Sequence, residues 1–236
     1  MTAFSDAVIL MAGSGSRLRG SDETFLKPFV PVLGRPLICY TIDALIHAGI
    51  KKVSFIVGYQ SARMIEAVKQ LMPANQVTSP FLLTMTDHLF DRSIMDLLIR
   101  EAVLDQLNVA IDRKLDSIFD VDDAMKVQTH GHQIVAIGKH LRDYDAIDAG
   151  IFVCPVNIFD YLERARQNGD CSLADGVRLM AEDNQVRGVD IGGAWWQDVD
   201  TPEMLACAET QLRSRVARHD IAMASAGSDR GNRAEN

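Results

Sequence analysis

The sequence predicts an α/β fold, a single domain built on a mixed, mostly parallel central sheet with helices on both faces. Three observations carry this. Short apolar runs alternate with amphipathic segments of helical period from about residue 6 to residue 217, the pattern of strands joined by crossover helices. The first apolar run, Ala7-Val8-Ile9-Leu10, passes directly into a tight small-residue loop, as at a strand-to-helix turn. The 236 residues and 47% hydrophobic content suffice for one buried core of ordinary size.

Residues 6–11 form the first expected strand. A helix is expected over 36–48, with Leu37, Tyr40, Ala44, Leu45 and Ala48 on one face and Gly49 ending it from the C′ position. Residues 53–57 read as the second strand. Residues 61–72 read as an amphipathic helix closed by Pro73. The run 81–85 reads as a buried strand whose polar end, Thr86-Asp87-His88, falls where ligands bind in open α/β sheets, and a helix over 91–104 follows. Segments 109–111, 124–128 and 134–138 read as strands of a small mixed extension, with His130-Gly131-His132 in a solvated hairpin turn. A strand over 149–154, helices over 155–167 and 172–182, a strand over 186–191 and a helix over 201–217 complete the domain. Ser172 is the expected N-cap of its helix. Asp200 is expected to cap the last helix, because Thr201-Pro202-Glu203 makes a good first turn. The domain is expected to span 1–217. The Ser-, Gly-, Asp- and Asn-rich residues 218–236 are expected to be a disordered tail. There is no internal repeat, and no second domain is expected.

The net charge of −8 argues against a general nucleic-acid binder, although local fields can still hold anions. Four scattered cysteines (39, 154, 171 and 207) without a Cys-x-x-Cys pair fit reduced thiols and a cytoplasmic location. No signal peptide and no membrane span are expected.

The segment LMAGSGSRLRGSDETFLKP (10–28) is the most informative. Gly13 and Gly15, flanked by Ser14 and Ser16, let the backbone approach a ligand and turn N–H groups toward phosphate. Arg17 and Lys27 bring two full positive charges. The Walker A loop fits worse, since Lys27 comes too late, and the dinucleotide fingerprint lacks its third glycine in register. A loop that gathers amides, an arginine and a lysine suits a polyphosphate.

This segment resembles the signature of the nucleotidyltransferase family that couples NTPs to sugar or polyol phosphates. The runs VPVLGRPLICYTIDALIHAGIKKVSFIVGY (30–59), TMTDHLF (84–90) and WWQDVDTPE (195–203) resemble it too. Within the family, DHLF, DVDDAMKV (120–127), IGKHLRDYDAIDAGIFV (137–153) and the Trp-x-Asp-Val-Asp-Thr run are most similar to the inositol-1-phosphate cytidylyltransferase branch. The resemblance implies a Rossmann-like domain and nucleotidyl transfer: CMP from CTP passes to inositol 1-phosphate or a similar phosphate, with release of pyrophosphate. Alternatives are a sugar-1-phosphate or phosphonate nucleotidyltransferase, or a nucleotide-binding protein without transfer activity. The last is raised because the family's extra edge strand and base-reading small-residue segment are not found between Gln60 and Phe81.

Site residues follow from the same resemblance. Met11, Ala12, Gly13, Ser14, Gly15 and Asp87 are expected to bind nucleotide. Arg17 and Lys27 are expected to hold the triphosphate and its transition state. Asp87 and Asp198 are expected to bind Mg²⁺, whose oxygen ligation suits two carboxylates and several waters. Lys126, Lys139 and Asp148 are expected on the acceptor side, the carboxylate accepting from polyol hydroxyls. As residues alone, Asp87 could cap the following helix, Asp198 could sit in a turn, Asp148 could end a strand, and both lysines could be solvated.

Overall fold

The computed structural model describes residues 4–22, 24–57, 80–167 and 171–215. The predicted helix over 61–72, the shortened stretch before Phe81 and the tail from 218 lie outside the described residues.

Strand β1 (Asp6–Met11) leads through the loop 12–15 into one helical turn, α1 (Ser16–Arg19), then a 3₁₀ turn (Lys27–Phe29). A small hairpin, β2 (Pro31–Val32) and β3 (Arg35–Pro36), comes next and was not legible as strands. Its turn has Leu33 and Gly34 both at positive φ, 50° and 77°, the left-handed pair that two-residue hairpins need. Helix α2 (Leu37–His47), strand β4 (Lys52–Val57), strand β5 (Phe81–Met85), short strand β6 (His88–Phe90) and helix α3 (Arg92–Glu101) follow. Strands β7 (Leu107–Asp112), β8 (Lys126–His130), β9 (Gln133–Gly138) and β10 (Ala146–Cys154) make up the middle of the chain. The chain continues with α4 (Ile158–Ala165), α5 (Leu173–Glu182), β11 (Val186–Asp190), β12 (Trp196–Asp198) and a helix α6 over 202–215. Ser172 caps α5 in a full capping box with Asp175.

Eight of these strands form one mixed sheet in the order β4-β1-β5-β10-β7-β11-β9-β8. Parallel pairing is confined to β4–β1–β5 and β7–β11. The long strand β10 runs antiparallel between β5 and β7 and so brings antiparallel pairing into the centre. The segment around 109–111 is therefore a central strand rather than part of an extension. All six of its residues are buried, which a solvated add-on would not permit. The hairpin β8–β9 is the extension, and its turn at Gly131 is exposed as expected.

Side-chain alternation sorts the core into two layers. Ala7, Ile9 and Met11 of β1 face α2 and α3 through Ile38, Leu45, Ile94 and Leu98. Val8 faces the other side, where Ile158 of α4 and Val177 and Met180 of α5 pack. Helices thus cover both faces. A third cluster, with Val32, Leu37, Leu89, Val199 and Ala208, seats α6 beneath the two-stranded ribbon β6–β12.

Strand β10 changes register between Asp148 and Phe152, at Gly150 with φ +74°. A bulge there lets the strand's first residues pair with β8 as well as β7. This break lies beside the ribbon that carries the acidic residues considered next.

Candidate active site

The loop after β1 is drawn onto Lys27 at Gly15. A Cβ at Gly15 would lie 2.9 Å from Lys27 Cβ, and its φ is +61°, so only glycine fits. Gly13 faces open space within 4 Å, leaving the backbone accessible. Met11 is buried in the core, so only its backbone can reach a ligand.

Lys27 follows an extended Leu26 and opens the 3₁₀ turn with Pro28. Its side chain is only 7% exposed, and its ammonium donates to Asp87 Oδ2 at 2.8 Å and to Asp200 Oδ1. Burial alone would lower the Lys27 pKa; the two carboxylates outweigh it and raise it. Arg17, half exposed, bonds Asp200 Oδ2 at 2.5 Å and Asp123 Oδ2 at 2.9 Å. Lys139 bonds the other oxygen of Asp123 at 2.6 Å. The result is an alternating line of charges: Lys139, Asp123, Arg17, Asp200, Lys27, Asp87.

The Asp200 carboxylate belongs to this line and does not cap α6; Thr201 does, its hydroxyl accepting from the Met204 amide at 3.2 Å. Extended backbone explains the reassignment. Trp196, Asp198 and Asp200 project to one side, while Val199 turns into the core. That i, i+2 spacing was the available signal. Asp123 lies in the DVDDAMKV run, but nothing singled it out among the four aspartates of the 116–123 stretch.

Asp87 sits at the turn from β5 to β6 and does not cap α3, whose N-cap is Asp91. Besides Lys27, it holds His88 Nδ1 at 2.7 Å through Oδ1. Burial would raise its pKa, but His88 and then Lys27 outweigh that and hold it far below the usual carboxylate range. His88 pairs across the ribbon with Asp198, and the Val199 amide donates to Asp87 O at 2.8 Å. Asp87, in the turn, and Asp198, at the end of β12, are thereby brought close enough for their charges to interact. Burial, helped by Asp200 and Asp87 and opposed by His88, pushes the Asp198 pKa up. Burial also works against a charged His88, but Asp87, with Asp198 and Asp148, raises its pKa.

The residues expected on the acceptor side divide. Asp148 accepts from the Gly150 amide at 2.8 Å, and burial raises its pKa to about 6. Lys126 is buried, with its ammonium committed to the carbonyls of Asp122 and Lys139 at 3.1 and 3.0 Å. It also lies over the Tyr144 ring. Lys126 thus braces the segments carrying Asp123 and Lys139, in contrast to the free acceptor cation expected from sequence.

The oxygen donors of Asp87 and Asp198 fit a divalent cation that keeps water and takes its remaining ligands from phosphate. Among the described residues no group of three or more His, Cys, Asp or Glu stands ready to hold a metal unaided. No helix among them is long and apolar enough to cross a membrane.

The chain is similar to known proteins along most of its length. Residues 6–104 match the family described as nucleotidyl transferase. A bifunctional IPC transferase and DIPP synthase of Thermococcus kodakarensis is 30% identical over 230 residues, covering 87% of this chain and 50% of that protein. Its Archaeoglobus fulgidus counterpart is 29% identical over 232 residues, covering 90% and 44%. The chain spans about half the length of these curated relatives. Among solved structures, the inositol-1-phosphate CTP transferase from T. maritima aligns with a TM-score of 0.74 at 25% identity, covering 86% of this chain and 91% of that one.

Proposed function

We propose that this chain, whose residues 6–104 match the family described as nucleotidyl transferase, is a CTP-dependent cytidylyltransferase acting on inositol 1-phosphate or a closely similar polyol phosphate. The observation that carries the reading is Lys27. It is a buried cation clamped by Asp87 and Asp200 at the mouth of a glycine loop, with Arg17 alongside. Such a cluster is suited to charge neutralisation rather than to proton transfer.

In this reading a phosphate oxygen of the acceptor attacks the α-phosphorus of CTP. The bond to the β-phosphate oxygen breaks, and pyrophosphate leaves. The acceptor phosphate has a second pKa near 6 and is already mostly dianionic at pH 7, so no general base is needed. The obstacle is the mutual repulsion of two anions and the charge gathering on the reacting phosphate. The amides of residues 11–15 receive the triphosphate. Arg17 and Lys27 exchange their carboxylate partners for phosphate oxygens. A divalent ion, Mg²⁺ in this proposal, held by Asp87 and Asp198, supplies positive charge to the phosphates when bound. Lys139 meets the acceptor phosphate, braced by Lys126, and Asp148 accepts from acceptor hydroxyls.

The test is a pyrophosphate-release screen crossing CTP, UTP, ATP and GTP with inositol 1-phosphate, hexose 1-phosphates, phosphocholine and 2-aminoethylphosphonate. CTP with inositol 1-phosphate should give the highest kcat/KM. A higher value for a hexose phosphate or phosphonate reassigns the acceptor. Absence of release from every pair would sink the transferase reading.

A further inference from the structure

We propose that His88 is a positioning residue: by holding one oxygen of Asp87 it presents the other, alone, to the divalent cation and the nucleotide phosphates. The proposal rests on the nucleotidyltransferase reading of this site.

Three features fix the imidazole. Its ring stacks on Trp196 with centroids 5.6 Å apart and planes 6° from parallel. Its backbone is paired opposite Asp198 in the β6–β12 ribbon. Its edge abuts the backbone of Gly150, where a Cβ would come within 2.5 Å of His88 Cδ2 and 2.6 Å of Nε2. The positive φ of Gly150 and the register break in β10 thus leave room for this ring and no more. A ring so confined does not turn with its neighbour; the neighbour must conform to it.

What it constrains is Asp87. An ionised carboxylate can only accept, so His88 Nδ1, at 2.7 Å, must carry the proton toward Oδ1. Oδ2 is left facing Lys27, at 2.8 Å, on the side of the glycine loop. A hydrogen bond to Oδ1 turns that oxygen toward His88 and favours the other as the metal's ligand, once Lys27 has left it for phosphate in the proposed reaction. Single-oxygen ligation suits the small octahedral shell of Mg²⁺, whereas Ca²⁺ readily takes both oxygens of a carboxylate. Hydrogen bonds behind a ligating carboxylate typically govern metal affinity by about 10–100-fold.

The experiment compares two nearly isosteric variants of the full chain, His88→Asn and His88→Leu. The asparagine amide can donate from close to the Nδ1 position; leucine cannot. Mn²⁺ binding in the presence of CTP is followed by electron paramagnetic resonance. The Mg²⁺ concentration for half-maximal pyrophosphate release and inhibition by Ca²⁺ are measured in parallel, with ligand-free melting as a check on folding. His88→Leu should weaken Mn²⁺ binding by about 10–100-fold, shift the Mg²⁺ requirement upward to match, and change the Mg²⁺/Ca²⁺ preference. His88→Asn should stay within a few-fold of wild type. Equal Mn²⁺ binding in the two variants, whether intact or impaired, would overturn the proposal, because bulk and stacking would then explain everything. If leucine prevents folding, His88→Phe, which keeps a ring against Trp196 but has no donor, replaces it in the comparison. A wild-type chain that binds no Mn²⁺ with CTP overturns the parent reading, and the role of His88 with it.

Discussion

Replacing Lys27 by methionine keeps the aliphatic stem and removes only the charge, so it isolates what the ammonium contributes. Lys27 is 7% exposed, and its partners Asp87 and Asp200 are 25% and 24% exposed. Removing one partner of a fully buried ion pair costs about 3–5 kcal/mol, because the other charge is left uncompensated. Water reaches a quarter of each carboxylate here, so about 2–3 kcal/mol is expected. For a chain of this size that corresponds to roughly 5–10 °C in melting temperature. The pH dependence follows from the directions of the shifts. Asp87 titrates below its ordinary 3.8, so its contribution is present above about pH 4 and is lost as pH falls through its native value. Lys27 titrates above its ordinary 10.5, so its contribution is present below that pH and is lost as pH rises through the raised value. The gap between wild type and Lys27→Met should therefore be widest between about pH 5 and pH 10 and close toward both ends. Urea titrations from pH 3 to pH 10 measure it. A variant as stable as wild type at pH 7, or a gap that varies between pH 5 and pH 10, would refute the argument.

Asp87→Ala and Asp198→Ala should each lower kcat by about a hundredfold or more, while EDTA abolishes wild-type turnover; pyrophosphate release reads both, and full turnover without metal would remove their assigned role. Ser172→Ala should cost about 1 kcal/mol by thermal melting and leave kcat/KM unchanged, since the α5 capping box lies away from the acidic ribbon. This cost should shrink as pH falls from about 4 through about 2, the window between Asp175's ordinary value and the one to which Ser172 chiefly holds it. Discrimination between CTP and UTP should be weak if no segment between Gln60 and Phe81 hydrogen-bonds the base, because a site that merely encloses it cannot reject the near-isostere; a several-hundredfold ratio of kcat/KM would show that another element reads it.

Much of the fold was written in local pattern. The runs at 6–11 and 81–85 were legible because a strand buried on both faces needs mostly apolar residues, and 53–57 through its β-branched and aromatic content. Gly49 and Ser172 marked helix ends through backbone chemistry that acts over four residues. The central place of residues 107–112 was not legible, because which strand a segment pairs with is decided by partners far along the chain. The same limit governed the site. Arg17 and Lys27 were visible from one loop, and Asp87 and Asp198 from resemblance. The burial of Lys27 between carboxylates 60 and 173 residues away, the place of Asp123 and the bracing role of Lys126 arise only when distant segments converge.

In the proposed reaction the alternating line from Lys139 to Asp87 makes ligand binding an ion exchange in which the resin supplies its own counterions. When a polyanion docks on a basic surface, mobile salt ions are released, and affinity falls steeply with ionic strength. Here the anions displaced from Arg17, Lys27 and Lys139 are tethered aspartates that remain in the protein. Few salt ions are freed, so the slope of log affinity for CTP against log salt should be shallow, below about one, despite a triphosphate meeting several cations. The same aspartates compete for the cations after reaction. In that reading the released pyrophosphate competes with three tethered carboxylates for the same cations, which favours clearing the site of a product that shares the substrate's charges.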